Sequence, residues 1–132
     1  ELAGILAIEL FITKDNKVIV NELAPRPHNS GHYTIEACSF DQFDAHIRGI
    51  AGWPLEQPQL LKPAVMVNVL GQHVAPTRAL IADHPEWNVH DYCKAEVRHD
   101  RKMGHITVLT DDTAKTVADL EATGCWDDLK KA

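Results

Sequence analysis

The stretch ELFITKDNKVIVNELAPRPHNSGH, residues 9–32, sets two β-type runs around a short polar break and ends in a loop dense with hydrogen-bonding groups. Its first run belongs to a longer apolar segment, residues 2–12, whose one charged residue is Glu9. Nearly continuous apolar sequence reads as a strand buried on both faces. Residues 13–17 are polar, and residues 18–23 return to Val and Ile ahead of Asn21 and Glu22. Two such runs across a break containing Asp15 and Asn16 predict an antiparallel hairpin. A two-residue turn centred on that pair places Glu9 directly opposite Glu22. Opposed side chains have Cβ atoms about 4.5–5.5 Å apart, where like charges destabilise. An arginine, a shared proton or a cation offsets that repulsion. Magnesium, which takes one or two carboxylates and completes its shell with waters and phosphates, is one such cation; an ion-paired glutamate couple at a sheet margin is the plainer alternative. Asn21 points to the opposite face in a regular strand, unless a bulge turns it.

Residues 24–32 carry Pro25, Pro27 and Gly31, too stiff and broken for regular structure. Two prolines flank Arg26 and limit the entropy it loses on binding. Its planar fork suits carboxylate, bicarbonate or phosphate. His28, Asn29, Ser30 and His32 add more hydrogen-bonding capacity than a plain turn needs, and beside a carboxylate pair they mark a site.

Working outward, Ser39 with Gln42 has the spacing of a capping box. It opens a helix with Phe40, Phe43, Ile47 and Ile50 on one stripe, stopped by Gly52 and Pro54. A helical turn precedes it at residues 34–38. The proline-rich stretch 54–63 places a domain boundary there. Beyond it, residues 64–70 read as a strand, 77–82 as a short helix, 89–97 and 105–110 as strands about a turn at 98–100, and 113–122 as a helix. The fold class is α+β throughout. The turn at 98–100 brings Lys94 and Arg101 together, near His99, Lys102 and His105. Such a cluster holds a phosphate or is simply a solvated surface.

The bulk composition narrows the classes. The chain has 132 residues, 45% hydrophobic and 24% charged, with a formal charge of −6. That balance is globular and disfavours nucleic acid or an anionic membrane as partner. Cys38, Cys93 and Cys125 are isolated, which fits buried thiols in a reducing cytoplasm better than a disulfide or zinc framework. The apolar segment is too short to span a bilayer. The chain begins at Glu1 without an initiator methionine, so a piece of a longer protein is expected.

The motifs at 9–11 and 21–32, with Thr34-Ile35-Glu36-Ala37-Cys38, Gln42-Phe43, Pro54-Leu55, residues 66–71, Lys94-Ala95-Glu96 and residues 101–105, resemble the 5-(carboxyamino)imidazole ribonucleotide synthetases. These are ATP-grasp ligases, the ATPase subunits of phosphoribosylaminoimidazole carboxylase. The resemblance implies that residues 1–56 are the end of an ATP-grasp domain and residues 57–132 a small C-terminal α+β domain. It implies carboxylation of 5-aminoimidazole ribonucleotide with ATP and bicarbonate, through carboxyphosphate, in purine biosynthesis. By motif, Glu9 and Glu22 resemble the Mg2+ ligands, and Asn21 and Glu22 the ATP-contacting pair. Arg26 resembles the catalytic residue that holds bicarbonate or carboxyphosphate. His28 and Asn29, with Lys94 and Arg101 at the 5′-phosphate, resemble the substrate contacts. Asp100 stands where the family often has Gly. The resemblance further implies missing N-terminal domains, a homodimeric intact enzyme and an inactive fragment. A non-catalytic binding or assembly module derived from such an enzyme is the rival reading.

Overall fold

The computed structural model describes residues 2–128, which fall into two compact units, Glu1–Leu61 and Lys62–Ala132. Both contain helices and antiparallel sheet, the α+β class expected from the sequence.

In the first unit, β1 (Ala7–Ile12) and β2 (Val18–Ala24) form an antiparallel hairpin. The connection is not a two-residue turn at Asp15 and Asn16. Thr13 and Lys17 close a longer loop, with the Thr13 N–H donating to Lys17 O at 2.9 Å. Asn16 takes the left-handed conformation, φ 58°, that such a loop requires at its last position. The expectation of burial on both faces also fails. Ile8, Leu10, Phe11, Ile12, Val18, Ile19, Val20 and Leu23 are all exposed. A two-stranded ribbon has no second layer of its own, and no element among the described residues is packed over it.

A 3-10 turn at Asn29–Gly31 interrupts the proline loop. Then come α1 (Thr34–Ala37) and α2 (Gln42–Ala51). The α2 cap is Asp41, not Ser39. The Asp41 carboxylate accepts from the Phe43 and Asp44 N–H groups at 2.7 and 2.9 Å, satisfying two orphan donors of the first turn. The Ser39 hydroxyl instead accepts from Gln59 N–H at 3.0 Å. Gly52 closes the helix in the left-handed region, φ 67°. Phe43, Ile47 and Ile50 form the anticipated stripe, but it is exposed.

The second unit is a three-stranded antiparallel sheet ordered β3 (Ala64–Leu70), β5 (Lys102–Leu109), β4 (Asn88–Asp91). The helices α3 (Val74–Leu80) and α4 (Thr113–Ala122) complete it. Helix α3 starts earlier than the sequence suggested, because Pro76 is tolerated in a first turn, where its missing N–H has no intrahelical partner to lose. Strand β4 stops at Asp91, well short of residue 97. The Asp91 carboxylate accepts from Cys93 N–H at 2.8 Å and Cys93 adopts φ 51°, so the chain leaves the sheet there. Residues 92–101 form a broad loop, and Gly71 lets it pack down: a Cβ on Gly71 would lie 1.9 Å from Arg98 O.

The core joins Val69, Ile106 and Val108 of the sheet to Leu120, Cys125, Trp87 and Trp126. The Trp126 indole donates to Asn68 O at 2.9 Å, so its polar edge is buried at little cost. His73 is buried with both nitrogens engaged: Nδ1 accepts from Leu70 N–H at 3.2 Å, and Nε2 lies 2.8 Å from Asp128 Oδ1. None of the helices described is long and apolar enough to cross a membrane.

Ile106 is fully buried and Ile47 is 58% exposed, which separates the two units experimentally. Ile106→Ala is expected to cost about 2–5 kcal/mol. Ile47→Ala in this chain is expected to stay within about 0.5 kcal/mol. Urea unfolding followed by tryptophan fluorescence checks both.

Hydrogen bonds from Gln72 and His73 hold the Asp128 carboxyl below the usual carboxylate range. A depressed folded pKa contributes stability that is complete above the unfolded value and is lost as pH falls through the folded one. The acid limb of the stability profile is therefore expected to flatten in Asp128→Asn, measured by thermal melts across acidic pH.

Candidate functional site

The hairpin register sets Glu9 against Glu22, and it does so through two offsetting irregularities. From the loop, Ile12 pairs with Val18, Phe11 with Ile19 and Leu10 with Val20. A bulge then inserts Asn21 as an extra residue, and Glu9 pairs with Glu22. Because the bulge breaks the alternation of faces, Asn21 joins the glutamates, and its Nδ2 donates to Glu9 Oε2 at 3.0 Å.

The proline loop returns over the same spot. Arg26 is exposed; it donates through Nη1 to Pro27 O at 3.0 Å and brings Nη2 to 4.0 Å from Glu22 Oε1. His28 Nε2 lies 3.5 Å from Glu9 Oε1. Its Nδ1 accepts from Ser30 N–H at 3.3 Å, with the Ser30 hydroxyl 2.8 Å away. With Nδ1 an acceptor, the neutral ring carries its proton on Nε2, facing the carboxylate. Asn29 opens the 3-10 turn, where its carbonyl accepts from His32 N–H.

One oxygen from each of Glu9 and Glu22 and a His28 nitrogen lie within 4.8 Å of one another. Oxygens on opposite sides of an octahedral magnesium are about 4 Å apart, twice its 2.0–2.1 Å bond length. The two carboxylates are oxygen donors of the kind that ion takes, and they would draw closer than 4.8 Å to share it. His28, with its proton on Nε2, has no lone pair there to give, and is a donor rather than a ligand.

Gln42, the first residue of α2, holds this loop and is a residue whose role the sequence did not disclose. It is 8% exposed. Its Oε1 accepts from His28 N–H at 2.9 Å, and its Nε2 donates to His28 O and contacts His32 Nδ1, each at 2.8 Å. The Thr34 hydroxyl donates to Gly31 O at 2.6 Å and accepts from Gln42 N–H at 3.1 Å. Beyond the Gln42-Phe43 family motif, which assigns no role, the sequence signal at Gln42 was a capping pattern, and it pointed to the wrong partner.

In the second unit, Lys94 and Arg101 both turn back to main-chain carbonyls at the 92–101 loop. Lys94 Nζ donates to Lys102 O at 2.6 Å, and Arg101 Nη1 donates to Glu96 O at 3.2 Å. Both bind neutral carbonyls, and neither is in an ion pair among the described residues. Gln72 steadies the loop tip, accepting from Asp100 N–H at 2.9 Å and donating to Asp100 Oδ1 at 3.0 Å. His105 is not part of this basic surface; it is buried in β5, 2.8 Å from the Tyr92 hydroxyl.

Residues 1–43 match the ATP-grasp domain family, and residues 64–119 match the phosphoribosylaminoimidazole carboxylase C-terminal domain family. The N5-carboxyaminoimidazole ribonucleotide synthase of Staphylococcus saprophyticus is 54% identical over 114 residues, covering 86% of this chain and 30% of that protein. The structure of N5-carboxyaminoimidazole synthetase from Staphylococcus aureus complexed with ADP superposes with a TM-score of 0.87 at 50% identity, covering 91% of this chain and 32% of the other. An Aspergillus clavatus N5-carboxyaminoimidazole synthase in complex with ADP and 5-aminoimidazole ribonucleotide gives a TM-score of 0.80 at 33% identity, over 91% of this chain and 34% of that one. The chain spans about a third of the length of these relatives. Both of its units are thus similar, in sequence and in backbone, to consecutive parts of N5-carboxyaminoimidazole ribonucleotide synthases.

Proposed function

We propose that this chain supplies the metal, bicarbonate and substrate contacts of an ATP-dependent ligase that carboxylates 5-aminoimidazole ribonucleotide. The observation that carries the reading is the opposed Glu9–Glu22 pair, flanked by Asn21, Arg26 and His28 on one hairpin end. Two carboxylates set against each other are costly unless a cation, an arginine or a shared proton offsets them. The aspergillus relative was solved with ADP and the ribonucleotide.

In this reading Glu9 and Glu22 would hold Mg2+, which when bound would supply positive charge to offset that of the ATP phosphates. Asn21 orients the Glu9 carboxylate and, with Glu22, faces the nucleotide. Arg26 swings from Pro27 O to pair with bicarbonate as a bicarbonate oxygen bonds to the γ-phosphorus of ATP, the bond to the β-phosphate oxygen breaks and ADP leaves, giving carboxyphosphate. The amine of the ribonucleotide then attacks the carboxyl carbon; the C–N bond forms, the C–O bond to phosphate breaks, and the amine sheds a proton. His28 and Asn29 contact the ribonucleotide near its ring. Lys94 and Arg101, lacking carboxylate partners, grip its 5′-phosphate. Residues 1–56 close the ATP-binding domain and 57–132 form the small C-terminal domain. The intact enzyme is a cytoplasmic homodimer. The exposed apolar hairpin faces and the α2 stripe pack against the remainder of the ATP-grasp domain, without which this chain is inactive.

In the full-length protein, Glu9→Gln and Glu22→Gln are each expected to lower turnover by about 100-fold or more, the scale of losing one preorganised electrostatic partner. Folding is retained, because one of two repelling charges is gone. Near-normal turnover in both variants at ordinary magnesium concentrations would make the pair structural.

The basic loop has its own test. A charge-assisted hydrogen bond contributes about 1.5–3 kcal/mol, or about 10- to 100-fold in an equilibrium. Lys94→Ala and Arg101→Ala are expected to raise KM for the ribonucleotide by that factor and to leave KM for ATP and bicarbonate unchanged. Arg26→Ala is expected to lower turnover at saturating ribonucleotide instead. Steady-state kinetics with each substrate varied in turn checks the contrast. An unchanged ribonucleotide KM in both loop variants would reduce the basic loop to solvated surface.

A further inference from the structure

We propose that Gln42 is the positioning residue of the proline loop: its one amide fixes the His28 backbone so that the ring proton on Nε2 faces the carboxylate pair. The proposal rests on the reading of His28 as a substrate contact. It needs only geometry within the first unit.

A primary amide has one acceptor oxygen and two N–H donors, all in one plane. At Gln42 the oxygen takes the His28 N–H, while the nitrogen serves His28 O and His32 Nδ1. Both backbone polar groups of His28 are thus tied to one side chain, and the carbonyl also accepts from Gly31 N–H at 2.9 Å. Flipping the amide would set its NH2 against the His28 N–H and its oxygen against the His28 carbonyl, so only one orientation satisfies the site. The amide is itself held from behind. Asp41 caps α2, which fixes the Gln42 Cα, and the Thr34 hydroxyl ties Gln42 N–H to Gly31 O. Burial makes these bonds costly to break, since water does not replace them freely.

With the His28 backbone held, Ser30 settles which ring nitrogen carries the proton. The outcome is a donor 3.5 Å from Glu9 Oε1. That gap is longer than a hydrogen bond, and a substrate oxygen or nitrogen entering beside the carboxylate finds the donor already aimed. Gly31 is part of the same device. A Cβ there would lie 2.5 Å from Gln42 Oε1, which is the far end of a flexible side chain and yields by swinging away. Gly31→Ala therefore dislodges the amide while sparing the fold, a second route to the same lesion as Gln42→Met.

Amide exchange in this chain reads the clamp directly. The His28 N–H is expected to exchange about 10-fold faster in Gln42→Met and in Gly31→Ala, the equivalent of losing about 1.4 kcal/mol of protection. In the full-length protein both variants are expected to lower kcat/KM for 5-aminoimidazole ribonucleotide by about 10-fold, with KM for ATP unchanged. His28→Asn is measured alongside. If His28→Asn is silent, the reading of the loop as a substrate contact fails and the proposal falls with it. If His28→Asn is damaging while Gln42→Met and Gly31→Ala are silent, the functional reading stands and the positioning role is overturned. Losses that fall equally on ATP and ribonucleotide and follow a lowered Tm would make Gln42 a structural residue and likewise overturn it.

Discussion

Two glutamates facing each other across a hairpin are the constraint to which the rest of the first unit answers. Like charges at a directly opposed pair repel, and here each is met by groups drawn from elsewhere in the chain. Asn21 turns inward at a bulge to donate to Glu9, His28 approaches Glu9 from the proline loop, and Arg26 stands off Glu22. A bulge in a strand of a short hairpin forfeits ladder pairing. Its retention at Asn21 is understandable because the displaced side chain is what reaches the carboxylate. The proline loop in turn has no sheet or helix to hold it, and Gln42 takes that role from the start of α2.

The two units differ in how they bury apolar surface. The second closes on itself: Ile106, Val108, Trp87 and Trp126 are shielded, and the polar edge of Trp126 and the buried His73 are both paired. The first exposes most of its large apolar side chains, on both the hairpin and α2. A two-stranded ribbon is marginal alone in water, so this hairpin carries composition suited to a larger sheet. That contrast follows from where long-range contacts lie, since side chains of comparable hydrophobicity are covered in one unit and bare in the other.

The basic loop of the second unit obeys a different rule. Lys94 and Arg101 are satisfied locally by carbonyls rather than by carboxylates. A carbonyl directs a cation without neutralising it, so the positive charge remains available to an anion. Gly71 and Gln72, distant in sequence, keep the loop close to the sheet and steady its tip. Catalytic and binding groups on loops depend on such scaffolding for their precision.

By itself the sequence determined the element types, the α+β class, the strand 64–70 and helix 113–122, and the motifs that carry the family resemblance. Those follow from local period, turn residues and short-range composition, which a single stretch of chain contains. The facing of Glu9 and Glu22 was legible too, but through an assumed turn; the actual loop is longer, and the bulge at Asn21 restores the pairing. Only the tertiary structure decided that bulge, the Asp41 cap, the end of β4 at Asp91, the exposure of the hairpin and the grip of Gln42 on His28. Each turns on a competition between partners: Asp41 against Ser39 for the same N–H groups, Asp91 against the ladder for Cys93, and a loop against a helix cap for Gln42. Neighbouring residues do not rank such competitors, because the winning contact is set by distances that exist only once the chain has folded.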